Sequence, residues 1–185
     1  MKHHQLITIP NKLLVTPSKK VNLVDDEIRT MVRDMEKLTV AWDHDSELGV
    51  ALAAIQVGIP LRLAIIRNNM GEKPSKDFTT FINPEIVRRS DQTLVDIEGC
   101  LSVPNVYGRV RRHAKIKIKA EDLNGDLIQV TAEGFLARVF EHEIDHMNGI
   151  MFLEHIKKLK DLFSIEKDGK LIPLDKAPEG YEHIK

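Results

Sequence analysis

The hydrophobic period of this chain changes twice, from helical to alternating and back to helical, so a fold built from one kind of element cannot accommodate it. Over 24–42 the apolar residues Val24, Ile28, Met31, Val32, Met35, Leu38 and Trp42 recur every three or four positions, with charged residues between them. That spacing predicts an N-terminal amphipathic helix, closed by the polar stretch 43–47. Residues 48–56 are almost wholly apolar and small, a composition that suits close approach by another backbone or a ligand. Residues 61–67 and 78–82 read as strands on either side of a loop, 68–77, that contains Gly71 and Pro74. Strands continue from there. Ile116, Ile118 and Ala120 alternate with lysines, and Asn124-Gly125 marks a tight hairpin before a strand over 127–131. From Gly134 the helical period returns through Phe135, Leu136, Val139 and Phe140, and Asn148-Gly149 stops it. This order predicts the α+β class, with antiparallel strands around the second helix, rather than a parallel α/β sheet.

A chain of 185 residues, 42% of them hydrophobic, can bury a substantial core in one domain. The expected catalytic domain spans 1–153. The lysine-bearing stretch 154–185 is expected to be a charged, partly flexible extension, loosest from Pro173 onward. Formal net charge is -1, which does not favour nucleic acid or an anionic membrane as the main partner. The local basic stretch 109–119 reads as a solvated strand face. No apolar run approaches the roughly 18 residues of a membrane span, and the N-terminal residues lack a leader pattern, so the expected compartment is the cytoplasm.

Chemistry concentrates in His142-Glu143-Ile144-Asp145-His146. On a helix, histidines four residues apart present both imidazoles on one face and can share a divalent ion, with Glu143 beside the ion but free of it. Such a carboxylate can take a proton from water and return it to a leaving amine, the two transfers that amide hydrolysis needs. The third ligand decides the kind of site. One group of zinc peptidases places a histidine three positions after a glycine, but Gly149 is followed by Ile150, Met151 and Phe152. Glu166 is a second candidate, at a tolerable distance downstream. Cys100, the only cysteine, in the turn Glu98-Gly99-Cys100-Leu101-Ser102, is the stronger one.

Three separated segments together resemble the peptide deformylase family. They are Gly49-Val50-Ala51-Leu52-Ala53-Ala54-Ile55-Gln56, Glu98 to Ser102, and His142 to His146, in the family's order, with Val103-Pro104 and 134–140 also similar. The resemblance covers roughly residues 20–155. It implies a hydrolase that removes the formyl group from the formyl-methionine of newly made polypeptides and releases formate. It also implies that Cys100, His142 and His146 hold one divalent metal, Fe(II) by expectation and Zn(II), Ni(II) or Co(II) as alternatives, with water in the fourth position. Glu143 would then be the general acid and base. Gln56 and the backbone N–H of Leu101 would donate to the formyl oxygen as it becomes an oxyanion. Val50, Phe135 and Val139 would line the methionine pocket, unless the last two are core positions of their helix. The peptide would lie extended along Gly49, Val50 and Ala51.

The expected partners are formylated nascent chains, with the ribosome as a candidate contact and a bacterium as the expected source. Arg112 is the expected partner of Glu98, in an exposed pair worth at most about 1 kcal/mol if it lies on the surface. Gly99 would let its turn pass close to the metal, or be an ordinary strand-end glycine. Two positions depart from the family pattern. Ala51 stands where a second glycine is usual, and its methyl could crowd the peptide unless φ is negative. Glu141 stands where glutamine is common, and is expected to face solvent or support a neighbour. Two further readings stay open: a deformylase-like binding protein with weak or no turnover, and a zinc peptidase that uses Glu166.

Overall fold

The computed structural model describes residues 5–42, 48–70, 73–166 and 169–185. The polar stretch 43–47 and Gly71 lie outside them. Helix α1 (Asp26–Ala41) starts where the Asp25 side chain accepts from the backbone N–H of Ile28 at 2.9 Å, with Asp26 and Glu27 in its first turn favourable to the helix dipole. Its stripe of Ile28, Met31, Val32 and Met35 is buried, which is the physical content of the helical period.

Nine antiparallel strands are seen among the described residues: β1 (Ala51–Ala53), β2 (Leu63–Arg67), β3 (Phe78–Arg89), β4 (Thr93–Cys100), β5 (Val103–His113), β6 (Lys115–Glu121), β7 (Leu127–Glu133), β8 (Leu162–Ile165) and β9 (Leu171–Pro173). They form a five-stranded sheet in the order β1-β2-β3-β6-β7 and a four-stranded sheet in the order β4-β5-β8-β9. Helix α2 (Gly134–Met147) packs against β1 and β7 of the first sheet and β5 of the second.

Burial explains the patterning. All five residues of β2 are buried: Leu63 and Ile65 pack with the α1 stripe, while Ile66 joins Phe140 of α2 on the other face. A strand covered on both faces has no polar alternation to show. In β6, one face is covered and one is not, so Ile116, Ile118 and Ala120 are buried while Lys115, Lys117 and Lys119 are exposed. The β6–β7 turn has Gly125 at φ 83°, and the Asp122 side chain accepts from the backbone N–H groups of Asn124 and Asp126. After α2, Gly149 takes φ 74° and the backbone N–H of Ile150 reaches back to the Asp145 carbonyl at 2.9 Å, which closes the helix.

The expectation of a loosely held tail is corrected. Leu162–Ile165 and Leu171–Pro173 form β8 and β9 in the second sheet, and Tyr181 and Ile184 are buried in the core with Leu162, Phe152 and Val110. Leu159 donates its backbone N–H to the Lys185 carbonyl at 2.9 Å. The anchors are single apolar residues at irregular spacing, so no period announces them, yet each buried side chain of this size contributes about 1.5–3 kcal/mol.

Candidate metal centre

The two sheets bring three donor atoms together from distant parts of the chain. Cys100 ends β4 at a two-residue turn, and β5 begins at Val103, opposite it. His142 and His146 stand one turn apart on α2. The Cys100 Sγ lies 3.2 Å from His146 Nε2, which lies 3.2 Å from His142 Nε2, and all three donor atoms fall within 4.8 Å of one another. Donors at the corners of a tetrahedron around a divalent ion, about 2.0–2.3 Å from it, stand roughly 3.3–3.6 Å apart. The residues therefore fit a metal.

Their electrostatics agree. Burial works against charge on His142, yet the Cys100 sulfur and the Glu98 carboxylate raise its pKa well above the ordinary value. His146 is pushed well below it by burial and by the positive charge of His142 and Arg112. The cluster thus favours positive charge at its centre and a neutral second imidazole, the condition a cation needs. Glu166 is exposed and lies outside this group of donors, so the alternative that made it the third ligand finds no support.

Behind the donors lies a buried ionic network. Glu98 is 5% exposed and accepts from Arg112 Nε at 2.8 Å and Nη2 at 3.0 Å, from Arg138 Nη1 at 2.7 Å, and faces His142 Nδ1 at 3.1 Å. Burial opposes ionisation of Glu98, but His142 and Arg112 outweigh it and hold the carboxyl well below the usual range. A carboxylate on Nδ1 directs the Nε2 lone pair of His142 toward the donor cluster. The surface-pair alternative for Glu98 and Arg112 does not hold, since both are buried.

Three members of the network were not anticipated. Arg138 also donates to the Val110 and Leu94 carbonyls, and Asp145 accepts from Arg112 Nη1 at 2.5 Å with His155 Nε2 2.8 Å away. The available signal was Arg138 standing four residues before His142, on the stripe that carries both histidines. Glu141, expected to face solvent or support a neighbour, does the second: it is 7% exposed and accepts from the backbone N–H of His113 at 2.8 Å, with the His113 ring 2.7 Å away.

A cavity of about 780 Å³ opens onto the cluster, and Cys100, His142 and Glu143 line it. Glu143 is 5% exposed, and its Oε2 is buried without a hydrogen-bond partner among the described residues. Burial lifts its carboxyl to about 7, against the pull of His142. A carboxyl poised near neutrality can accept and release a proton with little driving force lost in either direction.

Gln56 also lines the cavity and is 2% exposed. Its Oε1 accepts from the backbone N–H of Ala53 at 2.9 Å, while its Nε2 donates to Ser102 Oγ at 3.1 Å and stands 3.5 Å from Cys100 Sγ. These contacts hold the amide nitrogen between the Ser102 hydroxyl and the Cys100 sulfur. Leu101, at the β4–β5 turn, lines the same space.

Val50, Ala51, Phe135 and Val139 line the cavity; Val139 is also buried in the core with Phe140, and Phe135 stands at the rim, 54% exposed. Ala51 is absent from the positive-φ residues, so its methyl sits on ordinary extended backbone, and β1 is the edge strand of its sheet. An edge strand can accept another extended chain.

Gly49 does not line the cavity. Its carbonyl accepts from Arg67 Nε at 2.7 Å, and a Cβ added there would meet the Thr39 backbone oxygen at 2.3 Å. The glycine thus lets α1 approach β1, and Gly49→Ala is expected to destabilise the fold by roughly 2 kcal/mol in a denaturant titration. Gly99, at the end of β4, also makes room for a ring: a Cβ there would lie 2.6 Å from Tyr107, another cavity-lining residue.

A half-buried cysteine with two imidazoles, a buried carboxyl beside them and a cavity opening at a sheet edge define a metal-dependent hydrolase of extended chains. Comparison with known proteins narrows this. The polypeptide deformylase family matches residues 3–162. The peptide deformylase of Mesorhizobium japonicum is 41% identical over 174 residues, 94% of each chain, and that of Brucella suis is 39% identical over 166 residues, 90% of this chain and 91% of that one. The crystal structure of peptide deformylase from Ehrlichia chaffeensis is similar with a TM-score of 0.76 at 34% identity, covering 85% of this chain and 89% of that one. That from Thermotoga maritima has a TM-score of 0.74 at 31% identity, covering 84% and 99%. The chain belongs to the polypeptide deformylase family. It is an amide hydrolase that deformylates N-formylmethionyl peptides.

Proposed function

We propose that deformylation proceeds on an ion held by Cys100, His142 and His146, with Glu143 as the proton carrier and Gln56 and Leu101 as oxyanion donors. A thiolate with two imidazoles suits Fe(II) or Zn(II) better than a hard cation, and Fe(II) is the proposed ion, with Ni(II) and Co(II) as substitutes. Such an ion supplies a Lewis acid for the formyl oxygen and lowers the pKa of water. The chain does the rest. Glu143 takes a proton as water attacks the formyl carbon, then delivers it to the methionine nitrogen as the C–N bond breaks and formate leaves. Charge that develops on the formyl oxygen meets the Gln56 side-chain N–H and the Leu101 backbone N–H, donors without net charge and already oriented.

Val50, Phe135 and Val139 offer an apolar enclosure for the methionine side chain, and the edge of β1 at Val50 and Ala51 offers backbone hydrogen bonds that ignore sequence. The substrates are newly made chains in a bacterial cytoplasm, with the ribosome as a neighbouring contact; the relatives named above come from bacteria. The observation that carries the mechanism is the buried, unpartnered Glu143 oxygen beside the three convergent donor atoms.

Formate release from formyl-Met-Ala-Ser by anaerobically prepared, Fe(II)-loaded protein tests the reading, and the absence of release from metal-loaded protein would overturn it. Cys100→Ser is expected to weaken metal binding by 100-fold or more, on the order seen when a ligand is lost. Metal analysis after dialysis checks this. Retention of one ion per chain would move the third ligand elsewhere.

A further inference from the structure

Near the N-terminus the chain ties the two sheets together behind the cavity. Leu6 packs against the core that holds the α1 stripe, as Leu101 does, whereas Ile7 and Ile9 pack against the core that holds Phe152 and Tyr181, as Cys100 does. Residues 6–9 therefore cross the seam between the two cores. Their backbone crosses it as well: Ile7 donates its N–H to the Gln56 carbonyl at 2.8 Å, and Ile9 donates its N–H to the Ser102 carbonyl at 3.0 Å. Gln56 follows β1 of the first sheet, and Ser102 stands between β4 and β5 of the second. Their side chains meet, since Gln56 Nε2 donates to Ser102 Oγ at 3.1 Å. These three hydrogen bonds and the backbone from Ile7 to Ile9 close a ring. Gln56 and Ser102 are both buried, so a broken ring would leave polar groups unsatisfied away from water. None of Leu6, Ile7, Ile9 and Ser102 lines the cavity.

We infer that residues 6–9 form a clasp that, with Ser102, sets the spacing of the two oxyanion donors, the Gln56 side-chain N–H and the Leu101 backbone N–H. The inference rests on the oxyanion roles proposed above. The Ile7 bond holds the short helical turn that carries Gln56, and the Ile9 bond holds the turn in which Leu101 directly precedes Ser102. Between them, the Gln56 amide is pinned at Oε1 by the Ala53 N–H and at Nε2 by Ser102, so the ring and not the substrate decides where the amide sits. Such donors work because they are in place before charge develops, so a displacement of about 1 Å costs rate while leaving the bound peptide undisturbed. The clasp residues are positioning residues, acting from behind through Gln56 and the turn at Leu101.

The test separates the ring from the packing around it. Ile7→Pro removes the N–H that reaches Gln56 but keeps an apolar side chain, Ser102→Ala removes the acceptor for the Gln56 amide, and Ile184→Ala thins the same core from the other end of the chain. With Fe(II)-loaded protein and formyl-Met-Ala-Ser, Ile7→Pro and Ser102→Ala are expected to lose about 10- to 100-fold in kcat at little-changed KM. Ile184→Ala should lose stability and keep kcat, and all three should retain the metal. In the Zn(II)-loaded wild type, the Ile7 and Ile9 amide hydrogens should exchange at least about tenfold more slowly than that of the exposed Thr8, read by NMR. Wild-type kcat in Ser102→Ala or in a folded Ile7→Pro would refute the clasp. So would fast exchange at Ile7 and Ile9, or a loss of kcat in Ile184→Ala as large as in the ring variants. Should Ile7→Pro not fold, Ser102→Ala and the exchange rates decide. Wild-type kcat in Gln56→Leu has a different meaning: it removes Gln56 from the oxyanion pair, and with it the reading on which the clasp depends.

Discussion

Replacing Glu143 by glutamine is expected to cut formate release by about a thousandfold while the protein still folds and keeps its metal. The amide keeps the size of the carboxyl and loses the ability to take and return a proton, and the ion is held by three other residues. The loss should fall on kcat, since Glu143 acts on groups in motion during the reaction rather than on the bound peptide. Stability should move the other way. A buried carboxyl oxygen without a partner is a cost that the fold carries for chemistry, and a neutral amide reduces it, so the melting temperature of Glu143→Gln should stay level or rise by a few degrees. Formate assay, metal analysis and thermal denaturation on the same preparation separate these outcomes. Loss of activity together with loss of metal would assign Glu143 to holding the ion, and an unchanged rate would remove it from the mechanism.

What could be read in the sequence follows from which surfaces are covered. The α1 stripe and the alternation of β6 each face one covering layer, so their periods are plain. β4 buries only Glu98, and β5 buries Arg112 in register with Gly108 and Val110, so a charged residue interrupts the apolar face. Such strands look like loops. The same rule separates the site residues. Cys100, His142, Glu143 and His146 were legible because few residue types can bind a metal and their order is restrictive. Arg138 and Asp145 were not, because a charged residue on a helix ordinarily faces water. Gly49 was legible as a position of close approach because the stretch 48–56 is small and apolar, and the backbone it approaches is that of Thr39 in α1.

Glu98→Ala should be the most destabilising single change away from the apolar core. Two guanidinium groups, each 4–5% exposed, converge on that carboxylate, and among the described residues only Arg112 has a second anion, Asp145. Removing Glu98 leaves Arg138 with carbonyl partners alone and no counter-charge, and uncompensated buried charge costs roughly 3–5 kcal/mol. For a chain of this size that lowers the melting temperature by roughly 10 °C. His142 also loses the acceptor on Nδ1 that sets its tautomer, so metal affinity should fall by about 10–100-fold. The two effects have different remedies, which makes the network testable. Adding Arg138→Met to Glu98→Ala replaces the stranded cation with an apolar side chain and should recover part of the stability, while metal affinity stays low because His142 still lacks its carboxylate. Recovery of both would mean that Glu98 acts on the metal only by keeping the fold intact; recovery of neither would place the cost in Arg112 and Asp145.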